Sequence, residues 1–496
     1  MKKKSGSIAG CTRRTFLKGS IAFGFAGGIF RSTGGLSPTG PLRLKFGVVS
    51  DVHISTSDTT YFTRALQYFR DQSVDAVMIC GDIADGGKIA QLETAANAYF
   101  AVFPNDQLPN GDHVERLIVC GNHDYRWGTN ITSDDTMLRS DFANNWKTIW
   151  GDDSFSKIWQ KTVKGYTFIG NHWASDTSAC GHRVPVFADL PAYLQEHAAE
   201  LTGTKPFFYL QHSQQSGTCF GDRAWGEDTG ETTTALKAFP NAVTFSGHSH
   251  FSLTDDRSIW QDGFTAVNAG SLTYTGLDDA DNSSIRGYEN GYSGSTKAMA
   301  QYSRQDGKQG MVVSVYDDMI VYHRLEFYGT TPRQLGDDWV QLLPTVGDAT
   351  DPYNYTTRSA ALTPPRFPSA ARLRAGSVDA VTRGNSEIGA VRVSFTAANA
   401  GGMRPIAYEI AFIGDTTVTR EVLAQGFNMP LSDSRATGDS YAVIANSDLP
   451  SGDTITISVT PLSAYRTRGT ALSRTFDGAA LRGGTLLADG LSVVGY

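Results

Sequence analysis

The chain has 496 residues and a formal net charge of −7, and 40% of its residues are hydrophobic. This length predicts two or three domains rather than one, and the apolar content is ample for packed cores. The acidic balance, without a lysine- or arginine-rich block beyond the N-terminus, argues against a large nucleic-acid surface.

The N-terminus has the pattern of a targeting segment. A basic start is followed by the string RRTFLK and by a short apolar stretch at 20–30, which is shorter than a membrane span of roughly 20 residues. The pattern resembles a twin-arginine export signal. Residues 1–40 are therefore expected to be a signal and linker that send the protein to the periplasm or outside the cell. An uncleaved signal would instead anchor it to the membrane.

From residue 42 the sequence alternates between strand-like and helix-like segments. Strands are predicted at 42–50, 75–81, 115–121, 165–170, 206–212, 242–247 and 264–270, with helices at 59–72 and 88–103. Residues 311–328 predict a hairpin that turns at Asp317 and Asp318. The alternation indicates βαβ units whose sheet is covered by helices.

The rest of the chain has a different composition. Residues 278–310 are polar and rich in Gly, Ser and Tyr, which predicts a long loop that is either a substrate-side lid or an insertion. Pro-bearing segments predict a linker at 331–365. Short alternating runs predict an all-β sandwich at 366–480, followed by a tail at 481–496. The order of its runs resembles a fibronectin type III module, which would serve as a spacer or bind a glycan or protein partner.

The cysteines give no zinc-binding pattern, since no C-x-x-C pair occurs. Cys80 and Cys120 each end an apolar run, where a buried free thiol is the usual state. Cys180 and Cys219 lie in polar segments, and a disulfide between them is a hypothesis for an oxidising compartment.

Polar residues of the kinds that bind metals follow five of the predicted strands. In chain order they are Asp51 and His53, then Asp82 and Asp85, then Asn122, His123 and Asp124, then His212, then His248 and His250. Open α/β sheets place ligand sites at the carboxyl ends of their strands, so we expect these side chains to lie together. Strand geometry would also put His248 and His250, two residues apart, on the same face.

Oxygen and imidazole donors without a thiolate suit Zn, Fe or Mn. The set is too large for one ion with open positions and suits two ions that share a carboxylate. Two ions about 3.5–4 Å apart can clamp a phosphoryl group and generate hydroxide at neutral pH. Gly81, Gly121 and Gly247 each precede a candidate ligand, where a Cβ is expected to crowd the backbone.

The motifs, in order, are D-x-H at 51–53, G-D-x-x-D at 81–85, G-N-H-D at 121–124, the lone His212 and G-H-x-H at 247–250. Together they resemble the calcineurin-like metallophosphoesterase superfamily over roughly residues 43–328. The resemblance implies a four-layer α/β/β/α sandwich as a catalytic domain at 41–330. It also implies hydrolysis of phosphate esters with two metal ions, Mn, Fe or Zn, as cofactors.

The resemblance implies a role for each matching residue. Asp51, His53 and His250 would hold one ion, Asn122, His212 and His248 the other, and Asp82 would bridge them. His123 would donate a proton to the leaving oxygen or stabilise transition-state charge, and the Asp85 carboxylate would orient its imidazole. Asp124 is expected to be a helix cap or turn residue. A metal-activated water or hydroxide would attack phosphorus in line, without a covalent enzyme intermediate.

Two residues differ from the motifs of particular branches of this superfamily and so narrow the choice of branch. Asp85 stands where purple acid phosphatases carry a ligand tyrosine, and Gly86 stands where the protein serine/threonine phosphatases carry an arginine. The pattern is most similar to the branch that acts on small-molecule phosphate monoesters or diesters. Expected substrate contacts, with loop packing or solvent exposure as the alternative for each, are Arg126, Trp127, Trp173, Arg183 and Gln214.

Two other interpretations stay open. A nuclease of the same fold would show activity on single-stranded DNA, although the acidic balance argues against it. A surface binding protein would act through its C-terminal module and carry a degenerate phosphoesterase domain. Every candidate ligand position is intact, which argues against this second alternative.

Overall fold

The computed structural model describes residues 37–125, 141–173, 186–220, 228–273, 275, 277–278, 284–285, 297–299, 307–348, 350–383, 386–424 and 426–483. The expected signal segment and most of the 278–310 loop lie outside these residues. So do Arg126, Trp127, Cys180 and Arg183. Among the helices in the described ranges, none is long and apolar enough to cross a membrane.

The helices and strands follow in chain order. The first group is β1 (Leu42–Val49), α1 (Thr60–Asp71), β2 (Ala76–Cys80), α2 (Ile89–Val102), β3 (Glu115–Val119), α3 (Asn122–Tyr125), α4 (Phe142–Trp150), β4 (Ile158–Val163), β5 (Tyr166–Asn171), α5 (Leu190–Glu196), α6 (Ala198–Leu201), β6 (Phe207–Leu210), α7 (Glu231–Leu236), β7 (Ala242–Ser246), β8 (Ile259–Gln261) and β9 (Thr265–Asn268). The second group is β10 (Leu277–Asp278), β11 (Ser284–Ile285), β12 (Lys297–Met299), β13 (Gln309–Tyr316), β14 (Met319–Glu326), β15 (Arg333–Gln334), β16 (Trp339–Leu342) and α8 (Tyr355–Ala361). The third group is β17 (Leu373–Arg383), β18 (Ser386–Thr396), β19 (Pro405–Ile413), β20 (Thr417–Leu423), α9 (Ser434–Thr437), β21 (Asp439–Ala445), β22 (Thr454–Ser463), β23 (Leu472–Asp477) and α10 (Gly478–Arg482).

Two sheets form the first part of the molecule. One has the strand order β15-β14-β13-β1-β2-β3, with β16 paired to β14, and the other has the order β4-β5-β6-β7-β9-β8. Strands β1, β2 and β3 are parallel, as are β5, β6, β7 and β9. Parallel strands bring their carboxyl ends to one edge of a sheet, which is where polar residues were expected to gather.

The two sheets pack face to face through aromatic side chains. The ring of Phe46 on β1 lies 5.4, 5.1 and 5.8 Å from the rings of Phe168, Phe208 and Phe245 on the other sheet. Helices α1, α2 and α4 cover the outer face of the first sheet, and α5 and α7 cover the outer face of the second. The result is a four-layer α/β/β/α arrangement, which confirms the predicted fold class. We call β1 to α8 the four-layer region.

The segment expected to be a linker at 331–365 contributes to this region. Strands β15 and β16 add to the first sheet by antiparallel pairing with β14. Trp339 and Tyr353 are buried in the core between the sheets, and the Tyr353 hydroxyl accepts a hydrogen bond from the Val340 N–H at 2.7 Å. The segment is therefore packed rather than free. The predicted hairpin at 311–328 is confirmed, with Asp317 and Asp318 between paired Val315 and Ile320.

The remaining strands form an all-β region, as predicted. Its sheets have the orders β17-β18-β21 and β12-β20-β19-β22-β23 and enclose a core that includes Phe395, Tyr408 and Ile457. Strand β12 comes from the four-layer region and pairs in parallel with β20. We call residues 366–483 the C-terminal module.

Candidate metal centre

Five buried polar side chains lie just beyond strand ends of both sheets. Asp51, Asp82, His212 and His248 each come two residues after the end of β1, β2, β6 or β7, and Asn122 comes three residues after β3. The carboxyl ends of the two sheets therefore meet at one site. This is the position that the sequence pattern predicted.

One group of donors consists of Asp51, His53, Asp82 and His250. His250 Nε2 lies 3.0 Å from Asp51 Oδ1 and 3.2 Å from His53 Nε2. His53 Nε2 lies 3.6 Å from Asp82 Oδ2. These atoms face one another in a buried space.

A second group consists of Asp82, His212 and His248. His212 Nε2 lies 3.1 Å from Asp82 Oδ2 and 3.2 Å from His248 Nδ1. Asp82 thus belongs to both groups, whereas His248 and His250 belong to different ones. Asn122 Oδ1 is buried and has no hydrogen-bond partner among the residues that the structure describes, which leaves it available to a cation.

Three of the histidines are oriented through their Nδ1 atoms. The partners are the Cys80 carbonyl for His212 at 2.7 Å, the Asp85 carboxylate for His53 at 3.1 Å and the Ser271 hydroxyl for His250 at 3.2 Å. A carbonyl or carboxylate can only accept, so the proton lies on Nδ1 of His212 and His53. Once Nε2 of either ring has lost its own proton, the lone pair of that atom points into the site, as a metal ligand requires.

The candidate ligands sit on a strained backbone. Asp51, His53, Asp82, His248 and His250 have φ values of 51°, 46°, 52°, 68° and 56°. Such left-handed conformations cost a non-glycine residue about 1–3 kcal/mol and cluster at functional sites. The expectation that strand geometry aligns His248 and His250 is therefore corrected, because left-handed turns beyond β7 bring them inward.

Glycines next to the ligands leave room for their side chains. A Cβ on Gly121 would overlap the Asp82 carboxylate, and a Cβ on Gly247 would overlap the Ser50 hydroxyl. An added Cβ would thus collide with side chains that form and line the site, and not only with the backbone as expected. Gly81 has a φ of 92°, which a side chain would disfavour.

The charged groups of the site shift one another's pKa values. Burial would lower the pKa of His53, but hydrogen bonds to Asp51 and Asp85 outweigh burial and raise this pKa to about 10. At His212 burial is likewise outweighed by Asp82, and the pKa rises to about 9. Burial would raise the pKa of Asp51 and Asp82, but the imidazoles lower both. Protons and metal ions therefore compete for the same donor atoms.

His123 lies at the partly exposed edge of the site. Its Nδ1 donates to the backbone carbonyl of Asp85 at 2.6 Å, and its backbone N–H donates to Asp82 Oδ1 at 2.8 Å. The expectation that the Asp85 carboxylate orients His123 is therefore corrected. That carboxylate accepts from His53, which lowers the pKa of Asp85.

Asp124 has a larger role than the sequence indicated. Its Oδ1 accepts from the N–H groups of Ile83 and Ala84 at 2.9 and 2.7 Å, and its Oδ2 accepts from Gly121 N–H at 2.9 Å. Burial, with the charge of Asp82, raises its pKa to about 7. Asp124 thus ties the loop after β2 to the loop after β3.

Trp173 and Gln214 were both expected to contact substrate. Trp173 is fully buried, with its ring 5.9 Å from that of His212 and 5.8 Å from that of His248. It forms a wall behind these histidines and offers no open face for stacking, which corrects the expectation. Gln214 is also fully buried, and within the described part of the chain neither end of its amide has a hydrogen-bond partner.

Cys219 is a buried free thiol that donates to the Ala266 carbonyl at 3.4 Å. The disulfide hypothesis for this residue is therefore wrong. Its burial beside β9 was not visible from its polar sequence neighbours.

The donor set fits two divalent metal ions. Within each group the ligand atoms lie within 4.8 Å of one another. The facing imidazole nitrogens are 3.2 Å apart. Ligands about 2.1 Å from a shared ion would be separated by roughly 3.0–3.4 Å, so this spacing suits a common ion.

Comparisons with known proteins identify the region that carries these residues. Residues 44–285 match the family model for the calcineurin-like phosphoesterase superfamily domain. Similar solved structures include a dimetal phosphatase from Danio rerio, which is 13% identical, covers 62% of this chain and 99% of its own, and has a TM-score of 0.38. The anchor in the inner membrane complex of Plasmodium is 14% identical, with coverages of 66% and 99% and a TM-score of 0.37. An archaeal phosphodiesterase is 14% identical, with coverages of 49% and 97% and a TM-score of 0.24.

No curated protein matches the chain. The family match at 44–285 spans every candidate ligand from Asp51 to His250.

Proposed function

Because residues 44–285 match the family model for the calcineurin-like phosphoesterase superfamily domain, we propose that the protein hydrolyses phosphate esters with two bound metal ions. The observation that carries this proposal is the buried Asp82 carboxylate, which belongs to both groups of donors. One ion would be held by Asp51, His53 and His250, the other by Asn122, His212 and His248, with Asp82 shared. Their identity would be Mn, Fe or Zn.

The chain's own residues divide the remaining work. When bound, the two ions supply Lewis acidity toward the phosphoryl group and a hydroxide at neutral pH. His123 has its Nδ1 engaged by the Asp85 carbonyl at 2.6 Å, so Nε2 is the atom that would give a proton to the leaving oxygen. Buried Trp173 excludes water from the far side of His212 and His248.

The proposed substrates are small phosphate monoesters or diesters. Asp85 and Gly86 depart from the purple acid and phosphoprotein phosphatase patterns, which supports this branch. The net charge of −7 disfavours a long polyanionic substrate, and so disfavours the nuclease alternative.

We also propose that residues 1–40 direct export of the protein. We further propose that the C-terminal module is a fibronectin type III-like domain. The export proposal is supported by the twin-arginine string. The module proposal is supported by its two packed sheets, one of three strands and one of four strands joined by β12. This arrangement is typical of such sandwiches.

The full chain should be assayed with matched aryl phosphate mono- and diesters after reconstitution with Mn, Zn or Fe. We expect turnover of at least one ester, and the faster one would identify the branch. Asp82→Asn should lower turnover by at least about 1000-fold, since metal catalysis supplies several kcal/mol. Asp71→Asn, which changes an exposed carboxylate, should leave it unchanged. No turnover with any metal would overturn the proposal, and cleavage of single-stranded DNA alone would favour the nuclease.

A further inference from the structure

A loop of the C-terminal module contacts the four-layer region at the segment that follows His250 in the chain. Of the connection between β20 and α9, the structure describes residue 424 and residues 426–433. Two carbonyls of this loop, those of Phe427 and Asn428, accept hydrogen bonds from Thr254 Oγ1 and Gln309 Nε2, each at 2.6 Å. All four residues are buried, so water cannot replace a lost partner without reorganisation.

The module fixes the shape of this loop with its own arginine. Arg404 Nη2 donates to the carbonyls of Gly426 at 2.9 Å and Met429 at 2.5 Å. Its guanidinium lies 5.7 Å from the centre of the Phe427 ring. The carbonyls of Phe427 and Asn428, between these two contacts, are thereby directed toward the four-layer region.

Gln309 joins the loop to the segment that follows His250. Its Oε1 accepts from the Leu253 N–H at 2.7 Å and from Ser252 Oγ at 3.2 Å. Its backbone N–H donates to the Ser271 carbonyl at 2.6 Å. Gln309 therefore connects the module to two segments that adjoin the candidate metal centre, to residues 252–253 through its fully buried side chain and to Ser271 through its backbone N–H.

Ser271 completes the path to a candidate ligand. Its hydroxyl lies 3.2 Å from His250 Nδ1 and donates to the Asp51 carbonyl at 3.4 Å. His250 has a left-handed backbone with a φ of 56°, which surrounding contacts must hold. The hydrogen bonds run from Asn428 through Gln309 and Ser271 to the imidazole.

We propose that Gln309 is a positioning residue through which the C-terminal module orients His250. Through it, the module sets the affinity for the ion assigned to Asp51, His53 and His250. This inference rests on the proposed two-ion function. It makes the module an integral part of the metal centre rather than a separate spacer.

The proposed effect falls on one ion. In the described residues, His212 is oriented by the Cys80 carbonyl, which belongs to the first sheet. Its path does not pass through Gln309 or the module. Loss of the Gln309 contacts should therefore lower the affinity for one ion and leave the affinity for the other unchanged. A general loss of stability would instead lower both affinities.

The test is titration of the metal-free full chain with Zn²⁺ by calorimetry, beside the melting temperature of the metal-free protein. Gln309→Met removes the amide bonds to Asn428, Leu253 and Ser252 at similar volume and keeps the backbone bond to Ser271. It should weaken binding of one of the two ions by about 10- to 100-fold, because the side-chain link to the module is lost. Thr254→Val cuts the bond to Phe427 and the hydroxyl contact with Ser252 at 2.7 Å but keeps the Gln309 amide, so it should weaken binding of the same ion less. Tyr465→Phe is the control, since it removes another bond to the four-layer region, donated to the Asp256 carbonyl at 3.1 Å.

Equal weakening of both ions in Thr254→Val and Gln309→Met would overturn the inference. So would unchanged Zn²⁺ affinities with a lowered melting temperature, because Gln309 would then be purely structural. If Gln309→Met does not fold, the Thr254→Val titration decides alone. A wild-type chain that binds no Zn²⁺ would overturn the proposed function itself, which is a different result from two ions bound equally well in every variant.

Discussion

The four-layer region and the C-terminal module differ in their backbone strain and in the partners of their charged residues. All ten histidines precede residue 324, and five residues of the candidate metal centre have left-handed backbones. In the described part of the module, Arg466 is the one non-glycine residue with a positive φ. Its arginines instead form ion pairs such as Arg468 with Glu409, at 2.5 Å. This difference agrees with a proposed catalytic role for the four-layer region and a supporting role for the C-terminal module.

Loss of His123 should have the largest effect on the rate without an effect on metal. His123→Gln should lower kcat by about 100- to 1000-fold, since it removes a proton donor at the leaving oxygen. Bound metal should stay the same, because neither proposed ligand set includes His123. Ester hydrolysis and metal analysis on the same sample check both points. A fall in bound metal would make His123 a ligand, which its grouping with His53 and Asp85 permits geometrically.

The metal affinity should rise with pH. With pKa values of about 10 and 9, His53 and His212 carry protons at pH 7 in the metal-free site. A metal ion must displace these protons, so affinity should increase about tenfold per pH unit for each proton released, up to about pH 9. Mn²⁺ titration at pH 6, 7 and 8 measures the slope. An affinity that does not change over this range would contradict the proton competition.

Asp85→Asn tests which group orients which histidine. The variant weakens the acceptor for His53 Nδ1 but leaves the backbone carbonyl that holds His123. Metal affinity should fall about tenfold, while turnover at saturating metal should change little. Metal titrations and kcat at saturating metal separate the two effects. A large loss of kcat at full metal loading would restore the role that the sequence suggested for this carboxylate.

The smallest effect is expected in the module. Arg468→Met removes the ion pair with Glu409, whose side chains are 55% and 28% exposed. Exposed pairs contribute about 1 kcal/mol or less, so the free energy of unfolding should barely change and metal binding should not change at all. Denaturant unfolding and Zn²⁺ titration of this variant provide the comparison with Gln309→Met. Altered metal binding would show that the module's outer face also influences the centre.

The fold and the positions of the candidate ligands were predictable because they depend on local sequence. Apolar runs define the buried strands, and Asp51, Asp82 and His212 follow those strands at fixed spacing. The edge strand β4 was not predicted, because its sequence IWQKTV groups its polar residues together instead of alternating them with apolar ones, and most of it lies partly or fully exposed.

Other features depend on contacts between distant residues. The sequence could not show whether the carbonyl or the carboxylate of Asp85 would meet His123. It also could not place Gln309 against Asn428, which is 119 residues away along the chain. The packing of Trp339, which turns the expected linker into part of the sheet, depends in the same way on β14.

The most direct test of the two-ion centre is the number of metal ions bound per chain. The full-length protein and Asp82→Asn would be reconstituted with Mn²⁺, freed of excess ion and analysed by mass spectrometry. We predict about two ions per wild-type chain, as a shared carboxylate requires, and at most about one in Asp82→Asn. A wild-type chain that binds no ion, or the same number in both proteins, would contradict the assignment of Asp82 as the shared ligand.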